Sequence, residues 1–256
     1  MYLSAKARAS LAKVVKQFQA GDLSPVIRIA RIKPAGTDDS PFNKWSLSNK
    51  IMAYIQTGDL DVRGFNQWKE VGRHVRGNEK AAFILRPIKK SVEDRETGEK
   101  RMVIVNFTGQ AVFGISQTDG EDVPEVDYKP AELPPLIDVA DRLGINVKYR
   151  PLPPDRLGAC DIKGQNIDLG TTDVKTFFHE LAHAAHARID GKLKGGQVTE
   201  QETVAEFTAT VLMHLYGLGD RTGNSWEYIK MYADDPLDAI TGALKKVEGV
   251  LQFLGV

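Results

Sequence analysis

Phe177-Phe178-His179-Glu180-Leu181-Ala182-His183 is the stretch on which the reading of this chain turns. Its H-E-x-x-H pattern lies in a run, residues 172–190, whose apolar positions recur at helical spacing. On a helix, His179 and His183 stand one turn apart on one face, so two imidazoles can hold one metal ion. Glu180 follows the first ligand and can take a proton from water at that site as a general base. The alternative is two surface histidines on an ordinary helix. A working site also needs a third protein ligand and an open position. The next helical run, 199–217, supplies Thr199-Glu200-Gln201-Glu202-Thr203-Val204-Ala205-Glu206. Glu202 and Glu206 are four apart and share a face. Ligation is expected from Glu202. Glu206 is expected to accept the second ring N–H of a ligand histidine and so fix its tautomer. Thr199 and Glu202 also fit a capping box, which would compete for the same carboxylate. The donor set suits Zn²⁺, with another divalent metal as the alternative. His186 is expected at the rim of the cleft, His214 packed or at a helix end, and His74 toward solvent or phosphate.

Around this run the chain reads as a helix at about 135–144 and a hairpin, 158–163 and 166–169, turning at Gly164-Gln165. Asn166-Ile167-Asp168-Leu169 is either an edge strand to which an extended peptide could add, or a purely structural strand. A last helical region, 226–253, is broken near Pro236. Upstream, helices are expected at 2–20, at 46–56 ending at Gly58, and at 68–72, with a loop at 34–42. Three β-like runs, 81–88, 101–107 and 110–117, suggest a small antiparallel sheet with a turn at Thr97-Gly98. Residues 118–134, rich in acidic residues and proline, read as a linker.

The 256 residues are 42% hydrophobic and 27% charged, which excludes a mainly disordered chain. No apolar run reaches the length of a membrane span, and the first residues lack a signal-peptide core, so a cytoplasmic protein is expected. Cys160 is the one cysteine, which excludes an internal disulfide and a thiolate metal cluster. Net charge is zero, but residues 1–118 hold 20 Lys+Arg against 11 Asp+Glu, and residues 119–256 hold 14 against 23. The +9 half suits a polyanion and the −9 half does not. Arg73, Arg76, Lys80, Arg86, Lys89 and Lys90 crowd one stretch, with Phe65, Trp68, Phe83 and Phe107 nearby. Cations that track a backbone, beside aromatics on which bases stack, are what single-stranded nucleic acid binding requires. Aromatics in a small sheet also serve as core, so composition leaves both uses open. Trp68, Arg73, Arg76, Lys80 and Phe83 are the candidate DNA-binding residues.

In order and spacing the chain resembles the ArdC-type antirestriction proteins, over roughly residues 10–253. The first part of the likeness rests on Phe42, Ser46, Asn49, Gln56, Phe65, Trp68, Gly72, Val75, Arg76, Glu79 and Lys80. Val112-Phe113 and Gln117-Thr118-Asp119-Gly120 extend it. The second part rests on Ile167, Phe178, the His179–His183 motif, Glu202, Ala205 and Glu206, with Trp226-Glu227-Tyr228-Ile229 further on. Gly77-Asn78 stands where the family has a basic residue then glycine, and the segment 192–196 is short. The resemblance implies an α+β protein of two domains. Residues 1–128 would form a small α+β domain that binds single-stranded DNA. Residues 129–256 would form a mainly helical, zincin-like metallopeptidase domain with a small sheet. It implies protection of DNA from restriction, with zinc as cofactor and single-stranded DNA as partner. Residues 155–215 also resemble smaller zincin-like regulatory peptidases. That likeness keeps open a DNA-recruited or regulatory peptidase that cleaves a DNA-bound protein.

Overall fold

A pair of long antiparallel strands, β4 (Ala82–Glu93) and β5 (Lys100–Gly114), carries the first half of the chain. The computed structural model describes residues 2–35, 40–93, 100–219, 227, 230–231 and 236–256. The expected Thr97-Gly98 turn, and Trp226, Tyr228 and Ile229, lie outside the described residues. The chain is α+β and divides into two compact units, Met1–Ala30 with Gly36–Val126, and Arg31–Ala35 with Asp127–Val256. Among the described residues no helix is long and apolar enough to cross a membrane.

In the first unit, β1 (Tyr2–Leu3) pairs parallel with β5 and β2 (Val62–Arg63) pairs antiparallel with it. The helices are α1 (Ala5–Gln19), α2 (Ser24–Ala30), α3 (Pro41–Lys44), α4 (Leu47–Thr57) and α5 (Phe65–Glu70). Ser46 caps α4 by accepting from the Asn49 N–H at 3.4 Å, and Gly58 ends it in the left-handed conformation. The two runs expected at 101–107 and 110–117 are one strand. Thr108 and Gly109 look like a break, but both stay paired, opposite Arg86 and Leu85. Residues 115–117 form a 3-10 turn instead of strand. Residues 118–120, expected as linker, form β6 (Thr118–Gly120), antiparallel to β3 (Arg73–Val75).

Side-chain amides of α4 stand in for a further strand beside β4. Asn49 Nδ2 donates to the Leu85 carbonyl and Oδ1 accepts from its N–H, both at 2.9 Å. Gln56 does the same for Phe83, at 3.0 and 3.3 Å. A strand edge that would expose unpaired peptide groups is thereby satisfied. Phe42, Met52, Val62, Ile84 and Val112 form the core beneath.

In the second unit, a three-stranded sheet has the order β7 (Asn146–Tyr149), β9 (Asn166–Leu169), β8 (Gly158–Cys160), with β7 parallel and β8 antiparallel to β9. Asn166–Leu169 is therefore the central strand. Both its edges are paired, which removes it as a site for strand addition. Ile167 and Leu169 point into a core shared with α6 (Ile137–Arg142), α7 (Val174–Asp190), α8 (Thr199–Leu215) and α9 (Pro236–Leu254). Helix α7 is buried on nearly every face from Phe177 to Ala187, and Ala182, Ala184, Ala185 and Ala187 let its neighbours approach closely. Asp173 caps it, its carboxylate accepting from the Thr176 N–H at 3.1 Å. The hairpin turn presses against α7 at Gly164, whose φ is +65°. A Cβ there would stand 2.4 Å from the Ala184 carbonyl oxygen.

Gly164→Ala should lower the thermal midpoint, because left-handed backbone costs a side-chain-bearing residue roughly 1–2 kcal/mol and the backbone of α7 cannot yield to the new methyl. An unchanged midpoint in scanning calorimetry would show that the turn does not rest on the helix as described.

Candidate metal centre

Helix α7 presents His179, Glu180 and His183, and α8 presents Glu202 and Glu206. One ligand atom each from His179, His183 and Glu202 all lie within 4.8 Å of one another. His179 Nε2 is 3.4 Å from Glu202 Oε2, and His183 Nε2 is 3.7 Å from Oε1 of the same carboxylate. The two rings stand edge to face, with centroids 4.8 Å apart. Glu202 does not form the capping box. Val198 is the N-cap of α8, with no side-chain cap bond, and the Glu202 carboxylate turns to the imidazoles.

Glu206 serves the other nitrogen of the same ring. Its Oε2 is 3.3 Å from His179 Nδ1, and its Oε1 accepts from Lys175 Nζ. This arrangement holds a proton on Nδ1 and directs Nε2 toward Glu202. Lys175 was not among the residues picked out from the sequence. Its place one turn ahead of His179 is the signal that could have found it. The Nδ1 of His183 is buried with no hydrogen-bond partner among the described residues.

The electrostatics follow from burial and from these partners. Burial disfavours a charged His179 ring, but the hydrogen bonds with Glu202 and Glu206, helped by the charge of Glu180, outweigh it and push the ring up to about 9. Burial likewise opposes ionisation of Glu202, yet His179 and His183 hold it well below the usual carboxylate range. Burial pushes Glu180 up, with His179 and His183 pulling the other way. A raised carboxyl is better matched to accepting a proton near neutrality. Gly158 makes room for it, since a Cβ there would stand 2.6 Å from Glu180 Oε1.

Two imidazole nitrogens and one carboxylate, converging in a half-buried cluster, fit a divalent cation of the borderline or harder kind. They open onto a cleft of about 780 Å³ whose walls include Arg156, Gly158, Cys160, Lys175, Gln197 and Gln201. Strand β8, at the edge of its sheet, forms one wall. Burial raises the Cys160 thiol far above its ordinary value, so it stays protonated. His186 is not at the rim. It is 2% exposed, and its Nε2 lies 3.1 Å from Asp190 Oδ2 and 3.4 Å from Lys246 Nζ, which ties α7 to α9. His214 is exposed in the last turn of α8, and His74 is exposed on β3.

Of the candidate DNA residues, Trp68, Arg73 and Arg76 are engaged within the fold. Trp68 is fully buried and its Nε1–H donates to the Phe113 carbonyl at 2.9 Å, so no base can stack on it. Arg73 clamps β3 to β6. Its Nε donates to Thr118 Oγ1 at 2.8 Å and its guanidinium to the carbonyls of Thr118, Gly120 and Glu121. Arg76 pairs with Glu79 at 2.8 Å and Asp119 at 3.4 Å. Lys80 is exposed, and Phe83 is half-buried with Lys6 Nζ 4.7 Å from its ring centre.

No protein-family model matches the chain, and no curated protein matches it. Two solved structures similar to it are crystal structures of the antirestriction ArdC protein from plasmid R388. The metal-free form is 19% identical over 98% of each chain, with a TM-score of 0.34. The Mn(II)-bound form is 21% identical over 75% of this chain and 79% of that one, with a TM-score of 0.31. Likenesses of this size fix neither an activity nor a ligand for this chain.

His179→Ala and His183→Ala should each abolish stoichiometric metal in elemental analysis, because two-ligand sites bind weakly. Glu202→Ala should weaken binding markedly and Glu206→Ala by about 10–100-fold. Full metal content in Glu202→Ala would move the third ligand elsewhere. Metal must also displace the proton that Glu202 and Glu206 favour on His179. Affinity should therefore climb from about pH 6.5 to pH 8.5 with proton release in titration calorimetry, and a flat profile would contradict the raised ring.

Proposed function

We propose that this chain is an antirestriction protein that binds single-stranded DNA through its first unit and holds a divalent cation, zinc foremost, at a hydrolysis-competent centre in its second. The observation that carries the metal part is the convergence of His179, His183 and Glu202 beside a candidate general base, Glu180, whose carboxyl burial pushes up. The charge division between the two halves supports the DNA part.

His179, His183 and Glu202 would hold the cation, which supplies a Lewis acid that polarises a carbonyl and acidifies water. Glu180 accepts the proton of the attacking water at a carboxylate oxygen and returns it to the departing amine. Glu206, itself held by Lys175, keeps His179 in one tautomer and orientation. An extended peptide would lie along β8, whose edge position leaves backbone groups facing the cleft. Glu180 next to a full donor set favours a second reading of the same site, a DNA-recruited peptidase that cleaves a DNA-bound protein.

The full chain should bind single-stranded DNA more tightly than duplex of equal length, and affinity should fall with salt by about 0.7 in log–log slope per phosphate contact. Charge reversal of Arg86, Lys89 and Lys90 should flatten that slope; salt-insensitive binding, or a preference for duplex, contradicts the DNA reading. Glu180→Gln should keep metal and DNA affinity. If it also removes cleavage of casein or of the chain itself, the peptidase reading stands. If cleavage is absent in the parent protein, with zinc bound, that reading fails and DNA binding alone remains.

A further inference from the structure

The first unit contains a second cleft, of about 590 Å³, between α3–α4, the start of α5 and the β4–β5 pair. A volume of this order accommodates a small organic ligand. Trp45, Phe65 and Pro87 give it flat apolar walls, and Ile84 and Val112 lie in its lining as well. Phe65 is 47% exposed, an unusual position for a phenylalanine whose neighbour Trp68 is fully buried. Trp45 is half-buried, with its ring tilted against Phe42 at 5.7 Å.

The charge within the lining of this cleft is of one sign. Arg86 is part of the lining, and none of the described residues that line it is acidic. Lys69 Nζ sits 4.9 Å from the centre of the Phe65 ring. Lys89 and Lys90 follow Arg86 along β4, and both are exposed. Aromatic faces bordered by cations complement one ligand class in particular, an unpaired base with its phosphate.

We infer that this cleft, and not the surface around Trp68, seats an unpaired base of a single-stranded DNA, with Phe65 and Trp45 as stacking walls and Arg86 as the phosphate contact. The inference rests on the DNA-binding reading above and seats the base on Phe65 and Trp45, which are not among the candidate DNA-binding residues read from the sequence. Two amides in the cleft are already committed. Asn49 is held on both sides by the Leu85 backbone, and Gln110 donates to the Ala111 carbonyl and accepts from Arg86 at 3.4 Å. Asn66 and Gln67 also line the cleft, and Gln67 Oε1 accepts from the Gly64 N–H at 2.8 Å; stacking, which every base can do, is the contact on which the inference rests.

The test uses the full chain, labelled oligothymidylate and oligodeoxyadenylate of equal length, and fluorescence anisotropy at several salt concentrations. Phe65→Ala, at an exposed position, should fold normally by circular dichroism and weaken binding to both oligonucleotides about tenfold or more. Arg86→Gln should reduce the salt slope by about 0.7. Trp45→Ala should weaken binding to both oligonucleotides, and Trp45→Phe, which restores a ring, should recover most of that loss; no difference between the two would remove Trp45 as a stacking wall. If the parent binds and Phe65→Ala binds equally well, the cleft is not the base site, while the DNA-binding reading survives. If the parent protein binds neither oligonucleotide, both fall together.

Discussion

A carboxylate wedged between two imidazoles sets the terms for the second unit. Glu202 is buried, and burial of an ion is costly unless partners compensate it. Here they do so in a chain: Lys175 offsets Glu206, a charged His179 offsets Glu202, and the Glu180 carboxyl is pushed toward neutrality. A divalent cation can enter by taking the place of the His179 proton, which is why metal and proton compete at one nitrogen. Rigid supports keep the five side chains in register. Helix α7 is packed on almost every face, capped by Asp173 and braced from below by the turn at Gly164.

In the first unit the limiting constraint is a strand edge. Strand β4 needs partners for Phe83 and Leu85, and Asn49 and Gln56 provide them from a helix. Several polar residues of the ArdC-like pattern have structural duties of this kind. Gln117 donates to Glu79 and to the Lys80 carbonyl, both at 3.0 Å, and Ser46 caps α4. Much of the pattern in this half therefore traces a scaffold, while Phe65, which belongs to the same pattern, stays 47% exposed upon it.

This difference explains what was legible in the sequence. The metal cluster could be read because helical spacing fixes which side chains share a face, and both pairs, His179 with His183 and Glu202 with Glu206, lie one turn apart. That α7 and α8 face each other with Glu202 between the imidazoles required tertiary packing, as did the role of Lys175. Aromatics offer no such rule. Trp68 and Phe65 are three residues apart on one short helix, yet one is fully buried and the other 47% exposed. Strand boundaries failed for a related reason. Gly109 weakens a strand locally, but pairing along β4 carries the ladder through it. The β3–β6 ribbon joins segments some 45 residues apart, as its Arg73–Thr118 bond does, and no local pattern announces that pairing.

Charge separates the tasks of the two clefts. The metal cleft has Asp155, Asp173, Glu180, Glu202 and Glu206 among its walls, against Arg156, Lys175 and Lys194. A polyanion gains nothing by approaching that surface before a cation is bound, and with the cation in place the cluster is merely balanced. On the proposed reading, a neutral or basic peptide would meet no such barrier, and the free edge of β8 would supply its backbone partners. The aromatic cleft of the first unit presents the reverse, a lining with one guanidinium and no carboxylate. A surface that attracts phosphate and a site that concentrates carboxylates around a metal work against each other if they overlap, because each partly neutralises the other's field. On the proposed reading, the division of charge along the chain, +9 in residues 1–118 and −9 in residues 119–256, suits a phosphate-binding first unit and a cation-binding second.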